Sequence, residues 1–480
     1  MKLNTEDHAE RVQHQESGGE ILRKKSGLSL VHVTRVFFAI LVCLAIICVG
    51  LLGLVYFLLQ GKTGQNSAIN TQLEAGLEAL VGEAFDVQLN EGALDFSNIG
   101  HVNFQSENIR IVRREDGEPL ATIGKFEVST RLLDIISGET NFDFARIDEA
   151  WLDADLLGSG QAVFLPAHLD KPLDVTGQTL ARLHRNFSAK GFESLEIYNS
   201  TISGAILGRK QVDPVTVDRL SILPKDEKSF TIVGLLRTEL SDIEYSSEYS
   251  AAVDGVSAQY RFDATGIDLR EWLNEPTSDE GFVGSDSIIR AVGRMPFDKD
   301  GNALDPSLQI NASNSLLRIG LFSTTDIKLA SLNFRLLLDK NQIELDPSDI
   351  EVGRLKASVL GGIKPGEENI GYFGPLRYDL IMSRGEFEPT IEGEPVSPAA
   401  MKIAGIYDGE QKKIDISRFV LTTKKGSIIG DGTIGLEGET PSIKAMAKTD
   451  GISVAALKQF WPFFVAHGAR KWMHEHIVDG

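Results

Sequence analysis

The chain has 480 residues, 42% of them hydrophobic, with 48 Lys and Arg against 68 Asp and Glu and a net charge of −20. So acidic a chain lacks the clustered cations that neutralise phosphates, which argues against nucleic acid as a partner. Its two cysteines, Cys43 and Cys48, share one apolar segment, so the rest of the chain holds no disulfide, thiolate metal site or cysteine nucleophile.

Residues 1–35 are rich in Glu, Gln, Ser and Gly without a periodic apolar pattern, and read as a disordered head. Residues 36–59, VFFAILVCLAIICVGLLGLVYFLL, form an uncharged run of 24. As a helix the run is roughly 36 Å long, enough to cross a ~30 Å hydrocarbon core. It is longer than the apolar core of a signal peptide, and no A-x-A-like site follows in QGKTGQNSAIN, so the sequence predicts a retained single-pass anchor. Arg23, Lys24, Lys25 and Arg35 precede the run and only Lys62 follows at similar distance, which places the N-terminus in the cytoplasm. The remaining roughly 420 residues then lie across the membrane, in the periplasm of a Gram-negative cell, a location that the cysteine-free ectodomain suits. The head carries six cationic and five anionic residues, which leaves −21 on the remainder and disfavours broad adhesion to anionic headgroups.

After the anchor, Ile69, Leu73, Leu77, Leu80 and Val81 fall on one stripe of an amphipathic helix over 69–81. Its polar face carries Glu74 and Glu78 rather than Lys or Arg, so capping a sheet is favoured over lying on a membrane. From Phe85 onward short β-type runs dominate. Val102 to Ile111 begins in period 2, Phe230 to Arg237 repeats the texture, and Leu332, Phe334, Leu336 and Leu338 make one wholly apolar face. Ile414-Asp-Ile416 and Ile434-Gly-Leu436 follow. Asp-Gly pairs at 116–117, 254–255, 300–301, 408–409, 431–432 and 450–451 predict tight, local, antiparallel connections. Helical patterns are confined to about Thr176–Asn186, Asp268–Glu275 and a C-terminal pair, so the fold class is mainly β with a few short capping helices. The expected units are 60–182, 183–452 with a polar loop at EPTSDEGFVG (275–284), and the helix pair at 453–480; no short repeat is visible.

Three groups of residues carry a family resemblance. Leu132-Leu133 to Gly138 is followed by Phe142-Asp-Phe144-Ala-Arg-Ile147; a strand reads Phe192-Glu-Ser-Leu195-Glu-Ile197 to Ile202. Leu457-Lys-Gln-Phe460-Trp461-Pro462 precedes Gly468-Ala-Arg470-Lys-Trp472 and Ile477-Val-Asp-Gly480. In this order behind an N-terminal anchor, the chain resembles the AsmA-like superfamily of inner-membrane proteins, in particular the YhdP-like branch of alphaproteobacteria. The resemblance covers nearly the whole chain after the head. Members of that branch run well beyond this last element, so it also implies a C-terminal continuation. It implies an elongated, curved, largely antiparallel sheet whose apolar concave face carries phospholipid acyl chains between inner and outer membranes, without cofactor, metal or catalytic group. Groove candidates are then Phe230, Ile232, Leu236, Leu332, Phe334, Leu336 and Leu338, with Phe460, Trp461 and Trp472 as a cap. From the residues alone, burial in an ordinary sandwich is the default for each such face.

Enzymatic constellations are weak. No nucleophile elbow or P-loop is present. Asp298-Lys-Asp300-Gly301-Asn302 approximates a calcium loop but lacks the closing Glu, and reads as a surface turn. His474 and His476 lie about 200° apart on a helix and cannot share a metal; Gly468 interrupts the path from His467. The aromatics around Pro462 pack as a core or act as a cap or interface anchor. Two functions compete beyond an unsupported hydrolase: a lipid-handling scaffold, and an envelope assembly adaptor that binds outer-membrane or periplasmic protein partners.

Overall fold

The computed structural model describes the elements named below and the turns joining them, between Phe85 and Ile477. Residues 1–84 lie outside the described residues, as do connections such as 154–169, 204–213, 271–282, 366–374 and 461–466. The expected anchor at 36–59 and helix at 69–81 therefore fall outside them, and no helix among the described residues is long and apolar enough to cross a membrane.

The protein is mainly β, and its described residues form one long, curved sheet of 21 strands. Strands β1 (Phe85–Gln88) and β2 (Ala93–Asp95) both pair with β3 (His101–Arg113), followed by β4 (Pro119–Arg131) and β5 (Phe142–Asp153). Helix α1 (Asp170–Phe187) then leads to β6 (Ser194–Ser203), which runs parallel to β5. This is the one parallel pair among the described strands, and a parallel neighbour requires a crossover of the length that residues 154–193 supply. From there the sheet is an antiparallel meander: β7 (Val215–Asp226), β8 (Ser229–Arg237), β9 (Asp242–Val253) and β10 (Val256–Asp268). The short β11 (Val283–Ser285) and the longer β12 (Ile288–Phe297) both pair with β13 (Ser307–Ile319). The meander continues through β14 (Ser323–Leu337), β15 (Gln342–Val352), β16 (Leu355–Pro365) and β17 (Leu376–Phe387). It ends with β18 (Ser397–Asp408), β19 (Lys413–Thr423), β20 (Ser427–Gly435) and β21 (Ser442–Asp450). The short helices α2 (Val454–Phe460) and α3 (His467–His476) follow.

The sheet runs without a break across the expected 182/183 boundary, which falls inside α1. That helix starts six residues before the predicted Thr176, because Asp170-Lys-Pro172 supplies a first turn in which proline's missing N–H is harmless. Leu173, Thr176, Leu180 and Leu183 form its buried stripe, and His184 and Arg185 sit in the last turn, where cations complement the helix dipole. Asp268 ends β10, and the expected helix opens at Arg270, two residues later, with its continuation outside the described residues. The Asp268 N–H donates to Ser241 Oγ at 2.9 Å, and its carboxylate accepts from the N–H and guanidinium of Arg270, which fixes a turn.

Two of the Asp-Gly pairs show opposite behaviour. Gly301, at φ +84°, makes the turn between β12 and β13. Asp431-Gly432 instead lies inside β20, where a Cβ on Gly432 would come within 2.7 Å of the Lys444 carbonyl oxygen. Glycine is there for the close approach of β21 rather than for a turn.

The core is concentrated in the first two-thirds of the sheet. One buried apolar cluster extends from Val87 to Ala312, with Phe334, Leu336 and Leu338 packed at its margin. Beyond β13 the burial changes, and that change defines the candidate site.

Candidate functional site: an apolar face on β14–β20

Residues directly opposite one another in a sheet project from the same face. Phe334 on β14 opposes Leu308 on β13 and Leu345 on β15. From Leu345 the row continues through Gly361, Leu380, Ile403 and Phe419 to Gly430 on β20. A second row begins at Leu336 and Ile343 and passes through Ile363 and Tyr378. A third joins Val359, Met382, Met401, Leu421 and Ile428. Apolar side chains thus form a ribbon across the strands from β14 to β20. At ~4.8 Å per strand the six steps span about 29 Å, comparable to a bilayer's hydrocarbon core and longer than the acyl chains of one leaflet.

The two faces differ in chemistry. On the face opposite the ribbon, Arg335 donates to Glu344 and to Asp346, each at 2.8 Å. Lys402 pairs with Asp379 at 3.3 Å, and Lys413 with Asp415 at 2.8 Å. Thr433 also donates to Asp415, and the Lys413 contact leads the causes that hold this carboxyl below the usual aspartate range. These pairs are solvated and contribute little stability, but they mark that face as the wet one.

The ribbon is neither closed core nor ordinary surface. Leu332, Phe334, Leu336, Leu345, Leu380, Ile403 and Phe419 are all half-buried. Met382 and Leu421, at 4% and 3% exposed, are its most buried members. Among the described residues no helix packs against these strands as α1 does against β8. Every strand pair from β14–β15 to β19–β20 contains a register shift, for example between Leu345 and Ser348 and between Ile416 and Phe419. An extra residue on one strand bends it and increases its twist, so a bulge at each step adds to the curvature of the sheet.

The predicted groove residues divide between the two environments. Leu332, Phe334 and Leu336 lie together on the apolar face of β14, and Leu338 follows in the single 3-10 turn at its end. Phe230, Ile232 and Leu236 do not line open space: they are 0%, 3% and 3% exposed. This corrects the expectation for those three. Phe230 stacks on Tyr249 with ring centroids 5.2 Å apart, and Tyr249 in turn meets the His184 ring of α1 at 5.5 Å. The helix covers what would otherwise be the same kind of surface. Burial pushes the Tyr249 hydroxyl up to about 12.

Of the cap residues, Trp461 and the Phe460 side chain lie outside the described residues. Trp472 is 56% exposed and stacks on His476 at 5.3 Å rather than on the sheet, a correction explained by its position on α3: Met473, its neighbour, takes the buried side. Helices α2 and α3 touch through Lys458 Nζ, which donates to the His474 carbonyl at 3.4 Å. No group of three metal-ligating side chains occurs among the described residues. The calcium-like loop is an internally satisfied turn, in which Asp298 accepts from the N–H groups of Asp300 and Asn302 and from the Asn302 amide.

Sequence reasoning passed over Leu345, Leu380, Ile403 and Phe419. The alternation Ala357-Val359-Gly361-Ile363 on β16 was the available signal; on β17 it is blurred by Ile381 on the wet face. Comparison of the chain with protein-family models, with curated proteins and with solved structures returned no match.

Proposed function

We propose that the protein is a membrane-tethered lipid carrier, whose trough on β14–β20 shields phospholipid acyl chains while their headgroups stay in water at the rim. The observation that supports it is the half-buried apolar ribbon opposite a charged face. A sheet with one greasy face normally covers it; a long curled face left open fits a mobile apolar ligand. Holding an acyl chain needs no catalytic group, cofactor or metal. With the 36–59 segment as an inner-membrane anchor and a cytoplasmic N-terminus, the trough stands in the periplasm and contributes to phospholipid movement between inner and outer membranes.

The test is transfer of a fluorescent phospholipid between donor and acceptor liposomes by the full chain reconstituted in the donor. The proposal expects transfer well above the protein-free rate and its loss in Leu380→Asp/Ile403→Asp. Transfer at the protein-free rate, or transfer unaffected by both charges, overturns it.

One observation favours the second reading, an assembly adaptor. Every residue of β21 is exposed, and Lys444 and Lys448 alternate with Ile443, Ala445 and Ala447 along it. An exposed edge strand is a template for an added strand, and a partner segment alternating acidic and apolar residues would match it. Cross-linking from Met446, 72% exposed, to a stoichiometric envelope protein distinguishes this function.

A further inference from the structure

We infer that Tyr378 and Tyr407 hold the ester carbonyls of a bound glycerolipid, so that diacyl esters are the preferred cargo and one rim of the β14–β20 face carries the headgroup. The inference rests on the lipid-carrier reading and deepens it by naming the ligand's polar anchor.

The ribbon is hydrocarbon along most of its rows, and two phenols interrupt it together. Among the described residues these are the two tyrosines of β14–β20. Tyr378 opposes Ile363 on β16 and Gly405 on β18. Two residues along from Gly405, Tyr407 opposes Leu376 on β17 and Ile414 on β19. The phenols are therefore diagonal neighbours on the ribbon's own face. Leu376 opens β17 and Asp408 closes β18, so both lie at the same rim.

A glycine shapes their seat. A Cβ on Gly405 would lie 2.5 Å from the Tyr378 hydroxyl oxygen and 2.8 Å from ring atom Cζ, so the phenol crosses β18 in space that a side chain would fill. Its hydroxyl reaches β19 and donates to the Asp415 carbonyl oxygen at 3.3 Å, a long bond for a hydroxyl donor. The Tyr407 hydroxyl makes no hydrogen bond among the described residues. Burial raises both above the ordinary phenol value, with Asp415 and Asp408 adding to the shift, so both are protonated donors at neutral pH. Phenylalanine would cover the same apolar area. What the hydroxyls add is a pair of donors for a ligand that is otherwise hydrocarbon.

The two ester carbonyls of a diacyl glycerolipid match that pair. They are acceptors only, and they stand where acyl chain gives way to headgroup. Seated at Tyr378 and Tyr407, they place the headgroup beyond the strand ends, in water beside Asp408 and Lys413. The acyl chains then run along the strands over Leu380, Met382 and Ile403. From Tyr378 to Gly385 the strand covers about 23 Å at ~3.3 Å per residue, against roughly 15 Å for the chains of one leaflet. The reverse orientation sets chain ends against the two hydroxyls and leaves them without an acceptor.

The experiment purifies the full chain in detergent containing equal amounts of a diester phosphatidylcholine and the diether analogue with the same chains and headgroup. Bound lipid is read by mass spectrometry, and the lipid retained by Leu380→Asp/Ile403→Asp is subtracted as that held elsewhere on the chain. The wild type is expected to favour the diester several-fold. Tyr378→Phe and Tyr407→Phe, which keep the rings, are each expected to lower the ratio, and together to bring it to one. Equal binding of the two lipids by the wild type overturns the inference and leaves the carrier intact, as does a preference that survives in the phenylalanine variants. No bound lipid above that of the doubly charged variant overturns the carrier reading itself.

Discussion

Phe230 and Phe334 project from the same face of the same sheet, and replacing each by aspartate separates a closed core from an open trough. Phe230 is 0% exposed, stacked on Tyr249 and covered by α1. Deleting such a ring costs about 3–5 kcal/mol in lost transfer energy and cavity. Burying a carboxyl without a partner adds roughly 1–3 kcal/mol even when it is protonated. The sum, about 4–8 kcal/mol, is comparable to the whole stability of many domains, ~5–15 kcal/mol. Phe334 is only half-buried, at the margin of the core cluster. Its substitution loses no more than the ~1.5–3 kcal/mol of side-chain burial, creates no sealed cavity, and leaves the new carboxylate hydrated. Urea denaturation of the full chain in detergent, followed by circular dichroism and by proteolysis, compares the two midpoints. Phe230→Asp is expected to abolish or sharply lower the transition, and Phe334→Asp to shift it modestly while reducing bound lipid. Equal, severe destabilisation by both would show the β14 face to be closed core and would refute the trough.

Further outcomes follow from other contacts. Tyr249 is pushed up to about 12, and Tyr245 and Tyr260, in hydroxyl contact with each other, are also raised, in each case chiefly by burial. A phenol is neutral when protonated, so the unfolded chain ionises first: stability is full below pH about 10 and falls as pH rises above it, Tyr249 alone contributing about 1.4 kcal/mol per pH unit up to about 12. Tyrosinate absorbance of the folded protein, titrating at the ordinary value for all tyrosines, would contradict this. Asp298→Ala removes three hydrogen bonds from the turn that meets α1, and should cost about 1–2 kcal/mol and raise amide exchange in Leu180 and Leu183; unchanged exchange counts against the docking role. Gly293→Ala places a Cβ 2.0 Å from the Phe262 ring and should destabilise by about 1–3 kcal/mol in thermal melts, whereas a neutral result would mean the ring moves freely.

Period-2 alternation made the β class legible, because a strand with one covered and one wet face must alternate. The same alternation hid the division of the sheet. Phe230-Ile232-Leu236 and Leu332-Phe334-Leu336 are nearly indistinguishable as patterns, yet one set is sealed and the other is not. The difference lies in where α1 packs, a tertiary fact that strand periodicity does not encode. Its amphipathic stripe was readable from Thr176 onward, but not its destination. The parallel β5–β6 pair was equally silent, since it depends on a crossover rather than on a turn dipeptide. The bulges along β14–β20 have no local signature beyond scattered glycines, and Asp431-Gly432 shows how a turn-like dipeptide serves close strand packing instead.

The most direct test of the carrier is the amount of phospholipid extracted per chain after purification in detergent, compared between the wild type and Leu380→Asp/Ile403→Asp. A variant on the charged face, Arg418→Ala, serves as the control, because lipid held elsewhere on the chain is common to all three. The trough predicts an excess of phospholipid in the wild type and in Arg418→Ala that disappears in the doubly charged variant, with the fold intact by circular dichroism. Equal lipid in all three folded proteins would contradict it.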